Sequence, residues 1–194
     1  MPTSDSFLFL GKFLRHGTAI ASLAPSSRWL SRATVRNIDW DRAKVVVELG
    51  AGTGPITRVL AEKARPDCRV LVLERDTDFA GILRERFTHL ANFEVVEADV
   101  RDLEAILSAR GLTRVDHVVS GLPVPSFPRD LQRELFRAVG KVLDPAGTFN
   151  QITELPWVYW RFYRKFFDHV GFTFEPRNFP PAGAYVCRGL KDAT

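Results

Sequence analysis

The sequence contains little cysteine and no long hydrophobic run. Its 194 residues include two cysteines, Cys68 and Cys187, which are too few for a disulfide framework and lack the spacing of a metal site. No apolar segment approaches the length of about 20 residues that spans a bilayer, and neither secretion signals nor internal repeats are found. We therefore expect one cytoplasmic globular domain without a bound metal.

The net charge of +4 is concentrated in one part of the chain. Residues 1–36 contain five basic residues and one acid, which accounts for the entire basic excess. A basic N-terminal segment favours an anionic partner, either a nucleic acid or the anionic face of a membrane.

Residues 44–63, KVVVELGAGTGPITRVLAEK, form a segment whose spacing predicts a mechanism. An apolar β-branched run reads as a buried parallel strand, and Pro55 suits the first position of a helix. Glycines between them permit a tight turn and the close approach of a ligand. Glu48 precedes this turn, where an acid is a poor neighbour for phosphate and a good one for an ammonium or sulfonium group. The motif therefore differs from the dinucleotide fingerprint, its glycines being Gly50, Gly52 and Gly54.

Two more acids follow the next two apolar runs. Glu74 ends the run at 70–73, at the spacing where a carboxylate accepts hydrogen bonds from ribose hydroxyls, and Asp99 follows the run at 93–96. Strands and helices alternate, which predicts a doubly wound α/β fold with a mostly parallel sheet. Three strands that end in acids at one sheet edge indicate a nucleoside pocket that avoids phosphate.

At these residues the chain resembles the class I S-adenosylmethionine-dependent methyltransferases. ELGAGTG is similar to their first motif, Glu74 to their ribose clamp and EADV to their adenine-side motif. The resemblance implies a Rossmann-like, seven-stranded sheet with an antiparallel last strand, and S-adenosylmethionine as the cofactor. The cofactor-binding residues that it implies are Glu48, Gly50, Gly52, Gly54, Glu74, Arg75, Asp99, Val100, Ser120, Gly121 and Leu122.

Residues 1–40 are expected to form an amphipathic helical segment in front of a methyltransferase domain at 41–194. At helical steps, the bulky apolar residues of 6–24 share one arc and its basic residues lie opposite. Such a helix suits either the headgroup region of a membrane or the mouth of the domain's own active site, and the pattern leaves both open. A second helix is predicted from about Arg28, capped by Ser26 or Ser27.

The aromatic and basic residues between 157 and 167 allow three interpretations. They could stack on nucleic-acid bases, lie at a lipid interface, or form a helix with one core face and one solvated face. A closing hairpin is predicted from 172–175 and 184–188.

Two methyltransferase families share the glycine motif and the later acids. The ribosomal RNA adenine dimethyltransferases follow strand four with Asn-Leu-Pro and an aromatic residue, which hold and stack the target adenine. Here Gly121-Leu122-Pro123-Val124 stands instead, so the amide and the ring are both absent. RNA adenine N6-dimethylation is therefore the alternative rather than the preferred interpretation.

The resemblance to the bacterial phospholipid N-methyltransferases covers nearly the whole chain. Four segments carry it, namely FLRHGTAIASLAPSS, SGLPVPSFP, FNQIT and RNFPPAGAYVCR. It implies stepwise methylation of phosphatidylethanolamine towards phosphatidylcholine, with no nucleic acid or metal as partner. It also implies a peripheral position on the inner face of the membrane, where anionic lipid would favour binding. A domain that binds S-adenosylmethionine without transferring its methyl group is the non-enzymatic alternative.

Methylation of a lipid amine requires a neutral amine and a site for the headgroup. His16 is a candidate base, and Tyr185 and Trp157 are candidate rings that stabilise the growing cation. An arginine beside a tyrosine hydroxyl would suit the phosphodiester of the lipid, and the candidates for this site are Arg15, Arg28, Arg177 and Tyr185. The predicted substrate-binding residues are Arg15, Ser26, Pro123, Gln151, Arg177 and Asn178.

Overall fold

The computed structural model describes residues 27–191. The helices are α1 (Arg28–Thr34), α2 (Pro55–Lys63), α3 (Thr77–Phe87), α4 (Leu103–Ser108), α5 (Arg129–Val142) and α6 (Trp160–Phe166). The strands are β1 (Val45–Leu49), β2 (Arg69–Glu74), β3 (Phe93–Glu97), β4 (Val115–Ser120), β5 (Leu143–Thr153), β6 (Phe167–Glu175) and β7 (Ala182–Leu190). Short 3-10 helices follow β3 and β4.

The seven strands form one sheet in the order β3-β2-β1-β4-β5-β7-β6. Neighbouring strands from β3 to β5 are parallel, whereas β7 is antiparallel to both β5 and β6. The predicted fold class, a Rossmann-like and mostly parallel sheet with an antiparallel last strand, is confirmed.

The core lies on both faces of the sheet because side chains alternate along each strand. On one face, Leu49 and Phe149 belong to a cluster that Phe136 of α5 and Phe167 complete. On the other face, Val46 of β1 and Val70 and Val72 of β2 pack with residues of α2 and α3. Strands buried on both faces explain the continuous apolar runs in the sequence.

The chain order reverses between β1 and β4, and ligands of such sheets bind at the carboxyl ends of the strands beside this point. We call this side of the sheet the carboxyl edge. Strand β7 is antiparallel to both β5 and β6, so its first residues pair with the last residues of those strands. Thr153 pairs with Gly183, and Glu175 pairs with Ala182. The turn between β6 and β7 therefore lies at the carboxyl edge as well.

Helix α1 is fastened to that turn. The Ser27 hydroxyl accepts a hydrogen bond from the Leu30 N–H at 3.2 Å, which confirms a predicted cap. The Ser27 N–H donates to Asn178 Oδ1 at 3.3 Å, and the Asn37 side chain donates to the Thr173 hydroxyl at 3.1 Å. Ser27, the first described residue, is thereby attached at the carboxyl edge.

Several element boundaries differ from the prediction. Strand β5 begins at Leu143 rather than near 148, and its pairing with β4 is irregular between Val115 and His117. Helix α6 begins at Trp160, and Tyr163 and Phe167 are fully buried in the core. The aromatic segment is thus mainly a core element, because its rings fill the space between α5 and the sheet.

The two cysteines are buried and free. Burial raises the pKa of the Cys68 thiol to about 11 and raises that of Cys187 as well, so both are held as neutral thiols. Within residues 27–191, no three His, Cys, Asp or Glu side chains stand together in a way that could hold a metal ion. In that same part of the chain, each helix is too short or too polar to cross a bilayer.

The Glu175 carboxylate should make stability sensitive to acid. Hydrogen bonds from the Arg177 side chain, at 2.7 and 2.8 Å, lower its pKa from 4.5 to about 2, and the charge of Arg36 adds to this effect. A folded-state pKa below the unfolded value stabilises the fold above the unfolded pKa. We expect this contribution to be lost as the pH falls from about 4.5 towards about 2.

Denaturant unfolding of the wild type and of Glu175→Gln at several pH values would measure this contribution. The difference between their free energies of unfolding should be largest above about pH 5 and should decrease steadily as the pH is lowered. A difference that does not change with pH would mean that the pair does not titrate as described.

Candidate cofactor and acceptor site

The glycine turn after β1 has the backbone conformation that its composition predicts. Gly50, Gly52 and Gly54 have φ angles of 69°, 54° and 82°, in the left-handed region that favours glycine. A Cβ atom on Gly50 would lie 2.3 Å from Cδ2 of Leu122. Position 50 therefore has no room for a side chain, and the turn leads into α2 with Pro55 at the first helical position.

Glu74, at the end of β2, is held by backbone N–H groups. Its Oε2 accepts a hydrogen bond from Gly52 at 2.7 Å, and its Oε1 accepts from Arg75 at 2.8 Å and Asp76 at 2.9 Å. A carboxylate has about four acceptor positions, so it can accept a further bond from a ligand hydroxyl. The turn and the acid are thus one preorganised unit.

Glu48 is fully buried beside this turn. Its pKa is raised from 4.5 to about 8, chiefly by burial and also by the charge of Glu74, while the hydroxyl and backbone N–H of Thr57 act in the opposite direction. Neither carboxyl oxygen has a hydrogen bond of normal geometry to any residue between 27 and 191. A buried acid of this kind is costly unless a cation or donor completes it, so the cationic end of S-adenosylmethionine fits this position.

Asp99 lies beyond the end of β3, next to the end of β2. Its two carboxylate oxygens accept hydrogen bonds from the Arg101 side chain, both at 2.9 Å. Burial alone would raise the pKa of Asp99, but the bonds from Arg101 outweigh it and the pKa is lowered. The acid also caps the 3-10 helix that begins at Val100, which places an ionised carboxylate at the third position of the predicted pocket.

The loop after β4 is in direct contact with the glycine turn. The Gly121 N–H donates to the Leu49 carbonyl oxygen at 2.9 Å. A Cβ atom on Gly121 would lie 2.5 Å from the Gly50 carbonyl oxygen. The Leu122 N–H donates to the Ser120 hydroxyl at 3.3 Å. The wall that would face a transferable methyl group is therefore fixed to the floor of the cofactor site.

Gln151 lies beneath this loop and supports it. Its side-chain amide donates to the carbonyl oxygens of Ser120 at 3.1 Å and of Leu122 at 2.8 Å. Its Oε1 is buried and lacks a partner within the described residues. Gln151 thus lies at the predicted site and positions the backbone next to Pro123, which begins the 3-10 turn of the loop.

Tyr185 does not lie where a catalytic ring is needed. Its side chain is fully buried in the core, and its hydroxyl accepts a hydrogen bond from the Tyr159 N–H at 2.9 Å. Burial also raises the pKa of this hydroxyl. The structure therefore contradicts the prediction that Tyr185 holds a cation or an anionic group, because strand β7 points the residue into the core.

Replacing Tyr185 by phenylalanine should change stability rather than chemistry. We expect kcat to stay within about threefold of the wild type, since the ring remains in place. We also expect a loss of about 1 kcal/mol in the free energy of unfolding from the missing hydrogen bond. Steady-state kinetics and urea unfolding measure the two effects. A large fall in kcat with unchanged stability would restore the catalytic assignment.

Arg177 and Asn178 hold the β6–β7 turn together. The Arg177 guanidinium donates to Glu175 and lies over the Trp29 ring, 4.1 Å from its centroid. The buried Asn178 side chain bonds to Ser27 and donates to the Pro180 carbonyl oxygen at 2.7 Å. Both residues therefore make structural contacts in this turn, and their part in holding the substrate stays a prediction.

Trp157 lies at the carboxyl edge, between β5 and α6. It is exposed, and it stacks on Phe174 with ring centroids 5.3 Å apart. Its φ angle of 63° is in the left-handed region that large side chains rarely adopt. Its partner rings and the Trp29 cation–π contact were not identified from the sequence, because they depend on the strand register.

Three predicted site residues lie outside the described range, namely Arg15, His16 and Ser26.

A cleft of about 270 Å³ lies at the opposite end of the sheet, where Ala43, Asp116 and Gly147 contribute to its lining. It is separated from the glycine turn by the length of the strands, so it has no part in the candidate site.

The chain belongs to the S-adenosylmethionine-dependent methyltransferases, since the profile of a family described as a methyltransferase domain matches residues 46–147. This range contains the glycine turn, all three acids and the loop after β4. S-adenosylmethionine is accordingly the cofactor of the protein.

Among characterised relatives, the ornithine lipid N-methyltransferase of Singulisphaera acidiphila is 72% identical over 189 residues, which cover 97% of this chain and 98% of that protein. Ribosomal RNA small subunit methyltransferase A of Mycoplasma mycoides is 30% identical over 88 residues, 44% of this chain and 31% of that protein. The fold also matches Aeropyrum pernix fibrillarin in complex with S-adenosylmethionine, with a TM-score of 0.63, 12% identity and coverage of 82% of this chain and 76% of that one.

Proposed function

We propose that the protein transfers methyl groups from S-adenosylmethionine to the primary amine of a membrane lipid, and that an ornithine lipid is its preferred acceptor. The observation that carries the proposal is the 72% identity to an ornithine lipid N-methyltransferase along nearly the full length of both chains. Identity that extends along nearly the whole of both chains supports a similar acceptor as well as the same cofactor.

Phosphatidylethanolamine is the second acceptor to consider. The four segments that resemble phospholipid N-methyltransferases support it, and they include the loop after β4 and the β6–β7 turn. Both headgroups combine a primary amine with an anionic group, a carboxylate in one lipid and a phosphodiester in the other. The two acceptors therefore require the same reaction and differ in the anion that the site must accommodate.

The cofactor supplies a methyl group that its sulfonium already activates, so the protein contributes mainly binding and orientation. Glu74 would accept hydrogen bonds from the ribose hydroxyls, and Glu48 would face the cationic amino acid end. Asp99 would bound the adenine side. The glycine turn brings the backbone close enough for these contacts.

The acceptor side of the site contributes in-line positioning. The loop at Gly121 and Leu122 stands against the glycine turn, and Gln151 holds its carbonyl groups in place. An amine attacks through its lone pair, so its ammonium form must first lose a proton to water or a nearby base. The N–C bond then forms while the S–C bond breaks. A fixed loop reduces the freedom of the amine before this step and so lowers the entropic part of the barrier.

Membrane association at the cytoplasmic face belongs to the same proposal. The apolar arc predicted in residues 6–24 and the basic excess of residues 1–36 support it. Ser27, where that segment joins α1, is fastened to the carboxyl edge by Asn178. An interfacial segment attached there would keep the site close to the lipid amine.

The proposal is tested by offering the full chain labelled S-adenosylmethionine and three acceptors in separate reactions. These are vesicles with an ornithine lipid, vesicles with phosphatidylethanolamine, and unmodified ribosomal RNA. We expect label in the ornithine lipid, with a kcat/KM at least tenfold above that for phosphatidylethanolamine. A reversed order would assign the phospholipid as acceptor, and label in RNA alone would refute lipid methylation.

A further inference from the structure

We propose that an apolar rim at the carboxyl edge inserts into the lipid interface, in addition to any contact that the N-terminal segment makes. We define the apolar rim as Leu155, Trp157, Val158, Phe174 and Phe179. The inference rests on the proposed function, because a lipid acceptor gives this surface its partner.

The exposed apolar side chains of the described residues are concentrated in this rim. Six large hydrophobic side chains are exposed between residues 27 and 191, and five of them belong to the rim. The sixth is Ile82, on helix α3. Val158 is 63% exposed, and Phe179, at the tip of the β6–β7 turn, is 91% exposed. Scattered surface apolar residues need no explanation, whereas a concentration at one edge indicates an interaction surface.

The rim is built from two segments that meet at the carboxyl edge. Leu155, Trp157 and Val158 follow β5, and Phe174 and Phe179 belong to β6 and its turn. Trp157 joins the two segments, since its ring centroid lies 5.3 Å from that of Phe174 and 5.6 Å from that of Phe172. The rim therefore borders the edge where the cofactor turn and the acceptor loop lie.

The backbone conformation at Trp157 indicates that its ring has a role other than folding. A tryptophan with a φ angle of 63° is strained relative to glycine or asparagine at the same place. The side chain contributes little to the core, because it is 58% exposed. A strained and exposed indole is poorly explained by folding alone, and indoles prefer the interface between water and hydrocarbon.

The charges around the rim match an anionic lipid surface. Arg177 and Arg28 lie over the Trp29 ring, 4.1 and 4.7 Å from its centroid, beside the same turn. The acid of this turn, Glu175, is buried and paired with Arg177. Glu154 next to the rim is half-buried, and burial raises its pKa, which favours its neutral form. Aromatic rings beside arginines, at a turn whose acid is buried and paired, are typical of a membrane-facing surface.

The test uses the full chain with the double change Val158→Asp and Phe179→Asp. Both side chains project into solvent, so the fold should tolerate the charges. Ile82→Asp is the matched control, since it places the same charge on an exposed apolar position outside the rim. Partition is measured by sedimentation with vesicles of phosphatidylcholine and phosphatidylglycerol. We expect the partition coefficient of the double variant to fall at least tenfold and that of the control to stay within twofold.

Methyl-transfer assays distinguish an effect of the rim on membrane binding from an effect on the reaction itself. The double variant should lose at least tenfold in turnover of a vesicle-embedded ornithine lipid. It should keep wild-type turnover of a short-chain analogue held below its critical micelle concentration, and wild-type affinity for S-adenosylmethionine. If the wild type methylates neither acceptor, the proposed function is wrong. The partition measurement would still show whether the rim binds the membrane.

Three results would overturn the rim proposal. The first is wild-type partition and vesicle turnover in the double variant, as expected if residues 6–24 cover the rim. The second is an equal fall in the partition coefficient of the Ile82→Asp control. The third is a wild-type dimer, seen by sedimentation velocity, that the double change separates, since the rim would then bind a second copy.

Tryptophan emission gives a measurement that does not depend on the charged variants. Lipids brominated in their acyl chains should quench the wild-type protein on vesicles, and Trp157→Phe should remove most of this quenching while the other three tryptophans remain. Quenching that is unchanged in Trp157→Phe would place the indole outside the membrane and refute the proposal.

Discussion

Replacing Glu74 by glutamine is expected to weaken binding of S-adenosylmethionine about a hundredfold, because a hydrogen bond to a charged group contributes roughly 1.5–3 kcal/mol. The backbone N–H groups of Gly52, Arg75 and Asp76 now donate hydrogen bonds to the carboxylate. The change also places an amide NH₂ next to these donors. The glycine turn would lose a fixed contact at the same time. Isothermal titration calorimetry with the full chain measures the affinity directly.

Glu97 offers a matched control for this change. It ends the neighbouring strand, pairs with Glu74 in the register of β2 and β3, and accepts a hydrogen bond from the Thr77 hydroxyl at 2.7 Å. It is exposed and does not contact the glycine turn. Glu97→Gln should bind the cofactor as the wild type does. A Glu74→Gln variant that retains affinity within threefold would show that Glu74 serves the turn alone.

Adding a single methyl group at Gly121 should reduce kcat/KM for methyl transfer at least about a hundredfold, since misplacement of a reacting group by about 1 Å has an effect of that size. The new Cβ atom would lie 2.5 Å from the Gly50 carbonyl oxygen. The carbonyl oxygen belongs to the backbone and the backbone fixes the position of a Cβ atom, so neither can rotate away. The loop after β4 must therefore move away from the glycine turn.

Gly81→Ala is the control for Gly121→Ala, because no atom lies within 4 Å of the position that its Cβ would take. Gly81 is inside helix α3, where alanine is favoured over glycine by about 0.5–1 kcal/mol. We expect Gly81→Ala to be more stable than the wild type and fully active. Thermal unfolding and steady-state kinetics of the two variants would show opposite effects of the same chemical change. Near-normal turnover in Gly121→Ala would mean that the two loops are not rigidly joined.

The cofactor half of the site could be predicted because local rules determine it. A turn with three left-handed residues needs glycine, and parallel strands bring their carboxyl ends to one edge. Those rules place Gly50, Glu48 and Glu74 without knowledge of any distant contact. The fold class follows from the same alternation of strands and helices.

The acceptor half could not be predicted in the same way, because it depends on strand parity and register. Tyr185 pairs with Gln151 and Phe172, on the face of the sheet that Phe149 shares. A shift of one residue along β7 would have turned the ring to the other face. Asn178 likewise bonds to Ser27, which is 151 positions away. Sequence resemblance pointed to segments that meet at the carboxyl edge but not to the directions of their side chains.

The contact between Gly121 and Gly50 has a consequence for redesign of acceptor choice. The wall that faces the acceptor is also the wall that supports the cofactor turn, so a bulkier residue at either position damages both substrates' sites together. Changes of acceptor are better sought at the segment after β5 and at the β6–β7 turn, whose exposed side chains do not touch the glycine turn. The positions around the glycine turn are thus closely coupled, whereas the exposed positions after β5 and in the β6–β7 turn can be changed without disturbing them.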